Sequence, residues 1–294
     1  MATPITALHM SGIRRRKGLA VVAAGAALAL CPSLGIGQTR AIRFGLTPVF
    51  LDDRVRLLRQ WALYLEGELG SSVRFMQYGS YTQVMDALRA GELDLAWVCG
   101  YPYVLYRQEL QLVSVPLWRQ APLYQSYLIA DKASSVRTVD DLRARTFAYS
   151  DPLSNSGFLY VQHLLRSARH DPSNYFKRSF FTYSHRHVVD AVSQGLAEAG
   201  AVDGYVWETL AELLPAVTAR TRVLLRSPDF GFPPIVAPRA RSAAQVTQWA
   251  HALKQMAVHP AGRLILKDLR LDGFTDGTPS LFDSIATMSR EQRV

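Results

Sequence analysis

The chain has 294 residues, of which 49% are hydrophobic and 19% charged, as expected for a folded protein rather than a disordered one. Its formal net charge is +9, but residues 1–40 hold five of the 33 basic side chains and none of the 24 acidic ones. The remainder has 28 basic against 24 acidic side chains, a net +4 without a basic stripe, which argues against a nucleic-acid-binding protein.

The N-terminus has the pattern of an export signal. Arg14–Lys17 form a basic cluster, Gly18–Leu30 form an apolar run, and small or turn-forming residues follow. About 13 apolar residues are fewer than the roughly 20 that span a membrane as a helix, but they suit a signal-peptide core. We predict that residues 1–40 are a signal peptide cut between Gly35 and Ala41, and that the protein is periplasmic. The tandem arginines leave a twin-arginine route open, and Leu30 disfavours a lipoprotein anchor.

Strands and helices alternate in the region that follows. Residues 41–47, 73–78 and 93–98 have strand patterns. Apolar residues at helical spacing lie between them, and the helical stretches end at Gly70 and Gly91. This order predicts right-handed crossover units and a parallel sheet.

A second set of strands and helices begins near residue 121, and a Pro- and Gly-rich segment at 227–236 indicates a crossing back. Two tail helices, at about 241–256 and 259–268, then rejoin the first set. We predict an α/β protein with the two-lobed clamshell of type II periplasmic binding proteins, each lobe a mostly parallel sheet flanked by helices. Lobe 1 comprises residues 41–120 plus 230–294, and lobe 2 comprises 121–229. Ligands of such sheets bind outside the carboxyl ends of the strands, here in the cleft.

A small polar loop at residues 150–157, called the serine loop below, runs directly into a helical pattern. It contains Ser154, Asn155, Ser156 and Gly157. The first N–H groups of a helix lack internal partners and carry a partial positive charge, and glycine lets a ligand approach the backbone. The loop is therefore a candidate anion site. The alternative is that Ser154 or Ser156 only caps the helix.

In their order and spacing, these features resemble the phosphate/phosphite/phosphonate-type periplasmic substrate-binding proteins of ABC importers. The resemblance covers nearly all of residues 41–270. The stretches that carry it are Ile42–Pro48, Tyr81–Trp97, the Tyr101/Tyr103 segment, Asp151–Gly157, and His185 with Ala191, Val192 and Gly195 after it. It implies a hinged two-lobed fold and a small tetrahedral oxyanion as the ligand.

The resemblance also implies roles for individual residues. The oxyanion loop of the family carries over to Ser154–Gly157, and the family's histidine carries over to His185. Members that hold aminophosphonates have an acidic residue where this chain has Tyr205, while Asp203 lies two residues earlier. The particular phosphonate therefore stays open.

Residues at strand ends and helix starts are candidates for the opposite wall of the cleft. These are Thr47, Tyr81, Tyr101 and Tyr103. A tyrosine can project its phenol toward a ligand, and the alternative for each of them is packing alone. Trp97 lies within a predicted strand and is expected in the core.

Cys99 is the only cysteine after the predicted signal peptide, so the mature chain has no internal disulfide. It follows a strand at the cleft end. Periplasmic arsenite-sensing proteins resemble the importer type and use a cysteine in this region, and a thiolate suits a trivalent metalloid. The alternative is an inert buried thiol.

The sequence has no metal-binding His spacing, nucleophile elbow or phosphate-binding loop, so we predict that it is not an enzyme. We expect a monomeric solute-binding protein, without a cofactor or metal, that delivers phosphonate, phosphite or phosphate to an ABC permease. The alternative is a periplasmic sensor subunit for arsenite or an oxyanion that signals to the ectodomain of a histidine kinase.

Overall fold

The computed structural model describes residues 40–49 and 54–292. The predicted signal peptide, except for its last residue, lies outside the described residues. Within the described ranges, no helix is both long enough and apolar enough to cross a membrane.

The strands of the described residues are numbered in chain order. They are β1 (Ile42–Leu46), β2 (Val73–Gln77), β3 (Leu95–Trp97), β4 (Leu110–Leu117), β5 (Leu123–Tyr124), β6 (Ser126–Asp131), β7 (Thr146–Tyr149), β8 (Arg178–Phe181), β9 (Ala199–Asp203), β10 (Thr221–Arg226), β11 (Phe230–Gly231), β12 (Ile235–Pro238) and β13 (Gly273–Thr275).

The α-helices are numbered in the same way. They are α1 (Val55–Leu69), α2 (Tyr81–Arg89), α3 (Gly100–Leu105), α4 (Tyr160–Ser167), α5 (His185–Ser193), α6 (Gly204–Leu213), α7 (Pro215–Thr218), α8 (Ala243–Gln255), α9 (Pro260–Leu269) and α10 (Asp283–Gln292). Three further short helical turns lie at Asp140–Leu142, Asn155–Leu159 and Pro279–Phe282.

Two sheets define two lobes. The larger lobe has six strands in the order β13-β4-β12-β3-β1-β2, and the smaller lobe has five in the order β10-β6-β9-β7-β8. Strands β5 and β11 pair with each other where the chain passes between the lobes. The lobe boundaries at residues 121 and 229 stay a prediction.

Both sheets are mixed rather than mostly parallel. Parallel pairs join β1 to β2 and β3, and β7 to β8 and β9. The pairs made by β12, β13, β6 and β10 are antiparallel. Helices lie between the strands of the parallel pairs, but β10 and β13 also follow helices and still run antiparallel to their neighbours. The sequence pattern detects the crossover units but not how these strands join the sheet.

Each lobe has an aromatic core. In the larger lobe, Trp61 of α1 packs on Phe44 at a ring-centroid distance of 5.6 Å and on Phe75 at 4.9 Å. In the smaller lobe, Phe147 stacks on Phe176 at 4.4 Å. Burial of large aromatic rings supplies much of the hydrophobic stabilisation of a domain, so each sheet has its own packed support.

The C-terminal helix α10 packs against both lobes. It lies on α3 of the larger lobe and on α4 of the smaller one. Glu291 of α10 is 2.6 Å from His163 of α4, measured from Oε2 to Nδ1. The sequence analysis predicts two tail helices and misses this third one.

Candidate functional site

The serine loop lies inside the protein. Ser154, Asn155 and Ser156 have no exposed surface. The Ser154 hydroxyl accepts the Gly157 N–H at 2.9 Å, so this serine caps the helical turn that begins at Asn155. Ser154 therefore caps the helix, as the alternative interpretation of the loop predicted. Capping does not account for the other polar groups of the loop.

The turn that follows Ser154 is wider than an α-helix. The Leu159 N–H donates to the Ser154 carbonyl at 3.0 Å, and the Tyr160 N–H donates to the Asn155 carbonyl, both five residues back. Such π-type turns are rare and occur frequently at functional sites. Here the wide turn continues directly into α4.

Three polar side-chain atoms of the loop are buried and have no hydrogen-bond partner among the described residues. They are the hydroxyls of Ser150 and Ser156 and Oδ1 of Asn155. A buried hydroxyl without a partner costs about 1–3 kcal/mol. Native proteins seldom accept this cost without a reason, so the cluster marks a position where a ligand can supply the partner.

Gly157 is held by close neighbours. A Cβ atom at this position would lie 1.8 Å from the Ser150 Oγ and 3.1 Å from the His185 Cε1. Only glycine fits, because any side chain would displace both groups. The glycine lets the loop backbone lie against Ser150 and His185, while the approach of a ligand to it stays a prediction.

His185 begins α5 and is almost completely buried. Its Nδ1 accepts the backbone N–H of Asp203 at 3.0 Å, and its Nε2 lies 3.4 Å from the Ser154 Oγ. Burial lowers the pKa of His185 to about 3, so the ring is neutral near pH 7. Because Nδ1 is an acceptor, the single proton lies on Nε2, and the ring presents an N–H donor toward the serine loop.

Asp203 is the other buried titratable group beside His185. Its Oδ1 caps α6 by accepting the N–H groups of Tyr205 at 2.8 Å and Val206 at 3.3 Å. Burial raises the pKa of Asp203 to about 7 against the effect of these two bonds. Its carboxyl group is therefore able to exchange a proton near neutral pH.

A cavity lies in front of these groups. The volume open to the centre of a water-sized sphere is ≈ 20 Å³, somewhat more than the roughly 10–15 Å³ that one water needs. The residues that line it are Thr47, Val49, Tyr81, Trp97, Cys99, His185, Asp203, Tyr205, Phe232 and Pro233. None of these lining residues is Lys or Arg, so any anion held here is met by neutral donors.

Six residues predicted from the sequence line this cavity, namely Thr47, Tyr81, Cys99, His185, Asp203 and Tyr205. The serine loop does not line it but lies directly behind two of these residues. The Asn155 N–H donates to the Cys99 Sγ at 3.3 Å, and the Ser154 hydroxyl faces His185. Cys99 is therefore placed between the helix start and the cavity, and burial raises the pKa of its thiol, which keeps it protonated.

Two predicted residues are not brought to the cavity. Tyr101 donates from its hydroxyl to Oε1 of Gln292 at 3.4 Å, and the ring of Tyr103 packs on Phe282 at 4.9 Å. Both tyrosines lie on α3, on the side that the C-terminal residues cover. We correct the predicted site accordingly and leave both out of it.

The sequence analysis also missed part of the cavity wall. Val49, Phe232 and Pro233 were not predicted, and Trp97 was expected in the core. The Trp97 Nε1–H donates to the Pro233 carbonyl at 2.9 Å, which ties the end of β3 to the crossing segment. The Phe-Pro-Pro run of that segment was a signal for the crossing, but nothing in it indicated contact with a ligand.

Two mixed sheets with a small cavity between them, and with a helix start directly behind two of the residues that line it, have the architecture of a two-lobed solute-binding protein. The model of the family described as "ABC transporter, phosphonate, periplasmic substrate-binding protein" matches residues 44–282. The chain belongs to this family. Its members are substrate-binding proteins of transporters and not enzymes, and the comparisons do not favour a sensor.

Individual relatives agree with this assignment. The "Probable ABC transporter phosphite binding protein PhnD1" of Prochlorococcus marinus is 23% identical over 61% of this chain and 62% of its own length. The solved structure of that PhnD1 with methylphosphonate superposes at a TM-score of 0.78 with 18% identity, over 86% of this chain and 98% of the other. The chain thus matches less than two thirds of the curated sequence but nearly all of the solved structure.

Two more relatives show how widely the family varies. A binding protein component of an ABC phosphonate transporter from Pseudomonas aeruginosa has a TM-score of 0.80 with 20% identity, over 86% of each chain. The "Phosphate-import protein PhnD" of Mycolicibacterium smegmatis is 33% identical over 33% of this chain and 32% of its own length. The structural matches establish the fold, and the printed names of the relatives differ in the ligand.

Proposed function

We propose that this protein captures a small tetrahedral oxyanion, namely a phosphonate, phosphite or phosphate, between its lobes and delivers it to an ABC permease. The observation that carries the proposal is the cluster of buried, unpartnered side-chain atoms in the serine loop, adjacent to the cavity. The Ser150 and Ser156 hydroxyls are donors, and they lie at a helix start, where the backbone favours negative charge.

The donors suit an oxyanion held without a metal. His185 adds a neutral N–H, and the phenol of Tyr81 adds an O–H, because burial raises the pKa of Tyr81 well above its usual value. Hydrogen bonds from such groups to an anion are charge-assisted and about twice as strong as neutral ones. Closing of the lobes around the ligand removes water and completes the site.

The opposite wall favours a ligand with one non-polar substituent. Val49, Trp97, Phe232 and Pro233 offer apolar surface to the cavity. A fourth phosphate oxygen that faces this surface would lose its hydrogen bonds to water, which costs about 1–3 kcal/mol. We expect methylphosphonate or phosphite to bind more tightly than phosphate, and sulfate to bind weakly.

Isothermal titration calorimetry of the purified protein with methylphosphonate, phosphite, phosphate, sulfate and arsenite tests the proposal. Ser156→Ala is expected to weaken binding of the best oxyanion by about tenfold to hundredfold, since it removes one bond to a charged ligand. The matched control is Ser193→Ala, because the Ser193 hydroxyl bonds to the Asp190 carbonyl within α5. The proposal fails if no oxyanion binds, or if Ser156→Ala binds as the wild type does.

The arsenite measurement addresses Cys99. The buried thiol accepts the Asn155 N–H, an interaction that a serine hydroxyl can also make. Cys99→Ser is therefore expected to keep oxyanion binding. If arsenite gives a heat of binding that disappears in Cys99→Ser, and phosphonates give none, the metalloid sensor would replace the importer as the proposed function. Export by the predicted signal peptide and the monomeric state belong to the same proposal.

A further inference from the structure

Asp151 connects the two lobes through its carboxylate. It follows β7 of the smaller lobe, and it is 1% exposed. Its Oδ2 accepts the backbone N–H of Tyr81, the first residue of α2 in the larger lobe, at 3.0 Å. Its Oδ1 accepts the N–H of Leu153 in its own loop at 2.8 Å. One carboxylate thus bonds to a helix start in one lobe and to the serine loop in the other.

The Asp151 carboxylate supplies a partner that the start of α2 would otherwise lack. The hydroxyl of Ser80 accepts the Gln83 N–H at 3.3 Å, but it does not satisfy the first N–H of the helix. A carboxylate at this position satisfies that N–H and meets the partial positive charge of the helix start. Because Tyr81 and Asp151 belong to different lobes, separation of the lobes at this point would break the bond.

The same residue also shapes the serine loop. The Asp151 carbonyl accepts the Ser154 N–H at 2.9 Å, and Ser154 in turn caps the turn at Gly157. The loop makes a second bond to the larger lobe through Asn155 and Cys99. Movement of Asp151 toward or away from α2 therefore moves the residues that the proposed function assigns to the anion.

We propose that Asp151 is a positioning residue that links closure of the lobes to the geometry of the serine loop. The bond to Tyr81 stabilises the closed arrangement, and the bonds to Leu153 and Ser154 hold the loop in the shape that this arrangement requires. The consequence for ligand affinity rests on the proposed function, whereas the effect on closure does not depend on which ligand is bound.

Small-angle X-ray scattering of the purified protein, with saturating methylphosphonate and without it, tests the link in the condition in which the wild type is the more compact. Asp151→Asn keeps the shape of the side chain but removes the charge that meets the start of α2. The amide has one acceptor oxygen for the N–H groups of Tyr81 and Leu153, so one bond is lost and the other is no longer charge-assisted. Loss of a hydrogen bond to a charged group corresponds to roughly a tenfold to hundredfold shift of the equilibrium toward the open form. We expect a larger radius of gyration than that of the wild type. An unchanged radius of gyration overturns the proposal.

Asp171→Asn is the matched control. Asp171 also lies in the smaller lobe and accepts two bonds in its own turn, from the Ser173 N–H at 2.9 Å and the Ser173 hydroxyl at 2.8 Å, with no bond to the larger lobe among them. This variant is expected to keep the wild-type radius of gyration. An equal expansion in both variants would mean that loss of any turn carboxylate expands the smaller lobe, and the proposal would fail.

Amide hydrogen exchange of the wild-type protein gives a second test that needs no variant to fold. The first N–H of a helix normally has no partner and exchanges fast. The Tyr81 amide should exchange at least about tenfold more slowly than the amide of Ala243, the first residue of α8, because only Tyr81 has a carboxylate partner from the other lobe. Equal exchange at the two positions would contradict the inference.

The two proposals fail in different ways. If Asp151→Asn opens the protein while none of methylphosphonate, phosphite and phosphate binds, the proposed function is wrong and the role of Asp151 stands. If these anions bind but the radius of gyration and the Tyr81 exchange show no effect, the role of Asp151 is wrong and the proposed function stands.

Discussion

One helix start from each lobe lies beside the cleft, and the polar groups at the two starts have different hydrogen-bond partners. At α2, the protein supplies the partners itself, through the Ser80 hydroxyl and the Asp151 carboxylate. In the serine loop, the Gly157 N–H has a partner in Ser154, but the Ser150 and Ser156 hydroxyls have none. A helix start whose first N–H is bonded to a carboxylate of the other lobe joins the lobes, whereas one beside buried hydroxyls that lack partners is where a ligand can bind.

The two starts also differ in backbone geometry. The α2 start is an ordinary one with an extended N-cap residue, Ser80. The serine loop passes into a π-type turn, whose bonds reach five residues back and widen the helix. A wide turn places successive side chains at positions that a regular helix does not offer.

The largest expected effect is that of a side chain added at Gly157. Gly157→Ala would place a methyl group 1.8 Å from the Ser150 Oγ and 2.7 Å from the Ser150 Cβ, and overpacking of this kind costs about 1–3 kcal/mol. Urea denaturation should show this loss, and calorimetry should show no oxyanion binding. Gly67→Ala in α1 is the control, because nothing lies within 4 Å of its added Cβ. It should stabilise the protein by about 0.5–1 kcal/mol.

A second prediction concerns the pH dependence of the free energy of unfolding, to which two buried groups beside the serine loop contribute. Burial lowers the pKa of His185 from 6.5 to about 3, so between these values the unfolded chain binds the extra proton and stability rises with pH. Burial raises the pKa of Asp203 from 3.8 to about 7, so between those values the folded protein binds the extra proton and stability falls with pH. The two effects oppose each other.

Single variants should separate the two slopes. From pH 3.8 to 6.5, the free energy of unfolding of Asp203→Asn should rise with pH, and that of His185→Gln should fall. Each slope has an upper limit of about 1.4 kcal/mol per pH unit. Urea denaturation at several pH values, with the wild type as reference, measures them. Parallel profiles for all three proteins would show that the two groups do not titrate as their burial implies.

The third prediction compares the two caps directly. Ser154→Ala and Ser80→Ala each remove a side-chain cap, at a cost of about 1 kcal/mol in the free energy of unfolding. Only Ser154→Ala should also weaken oxyanion binding, because its hydroxyl orients the amide and the histidine next to the ligand. Thermal unfolding and calorimetry on both variants measure the two quantities. Equal binding losses would remove the distinction between the two helix starts.

Much of the fold follows from local pattern. The tail helices predicted at about 241–256 and 259–268 are found at Ala243–Gln255 and Pro260–Leu269, and the two-lobed fold class is confirmed by the solved structures of relatives. These features depend on residues near each other in the chain, whose periodicity is visible in the sequence. The serine loop is visible for the same reason, since Ser154, Ser156 and Gly157 stand together at one helix start.

Features that depend on distant parts of the chain were not predictable in this way. In the sequence, Asp151 has the pattern of an ordinary loop residue. Only the fold brings Tyr81 into contact with it. Helix α10 was also missed, because only three of its ten residues are apolar. Packing against α3 determines the position of α10. A Cβ on Gly100 would lie 2.6 Å from the Ile285 Cδ1, so the glycine leaves room for α10 to pack closely. Nothing in the local sequence of α3 indicates that α10 covers it, so its tyrosines were assigned to the ligand.

The smallest expected effect follows from that covered surface. Tyr101→Phe removes the bond at 3.4 Å from the Tyr101 hydroxyl to Gln292 of α10 and should lower the free energy of unfolding by less than about 1 kcal/mol. Oxyanion binding should not change, because Tyr101 does not line the cavity. Tyr81→Phe provides the contrast, since it removes a phenol of the cavity wall and should weaken binding. If Tyr101→Phe weakened binding as much as Tyr81→Phe, the ligand would have to reach α3, and the cavity between Cys99 and His185 would not be its site.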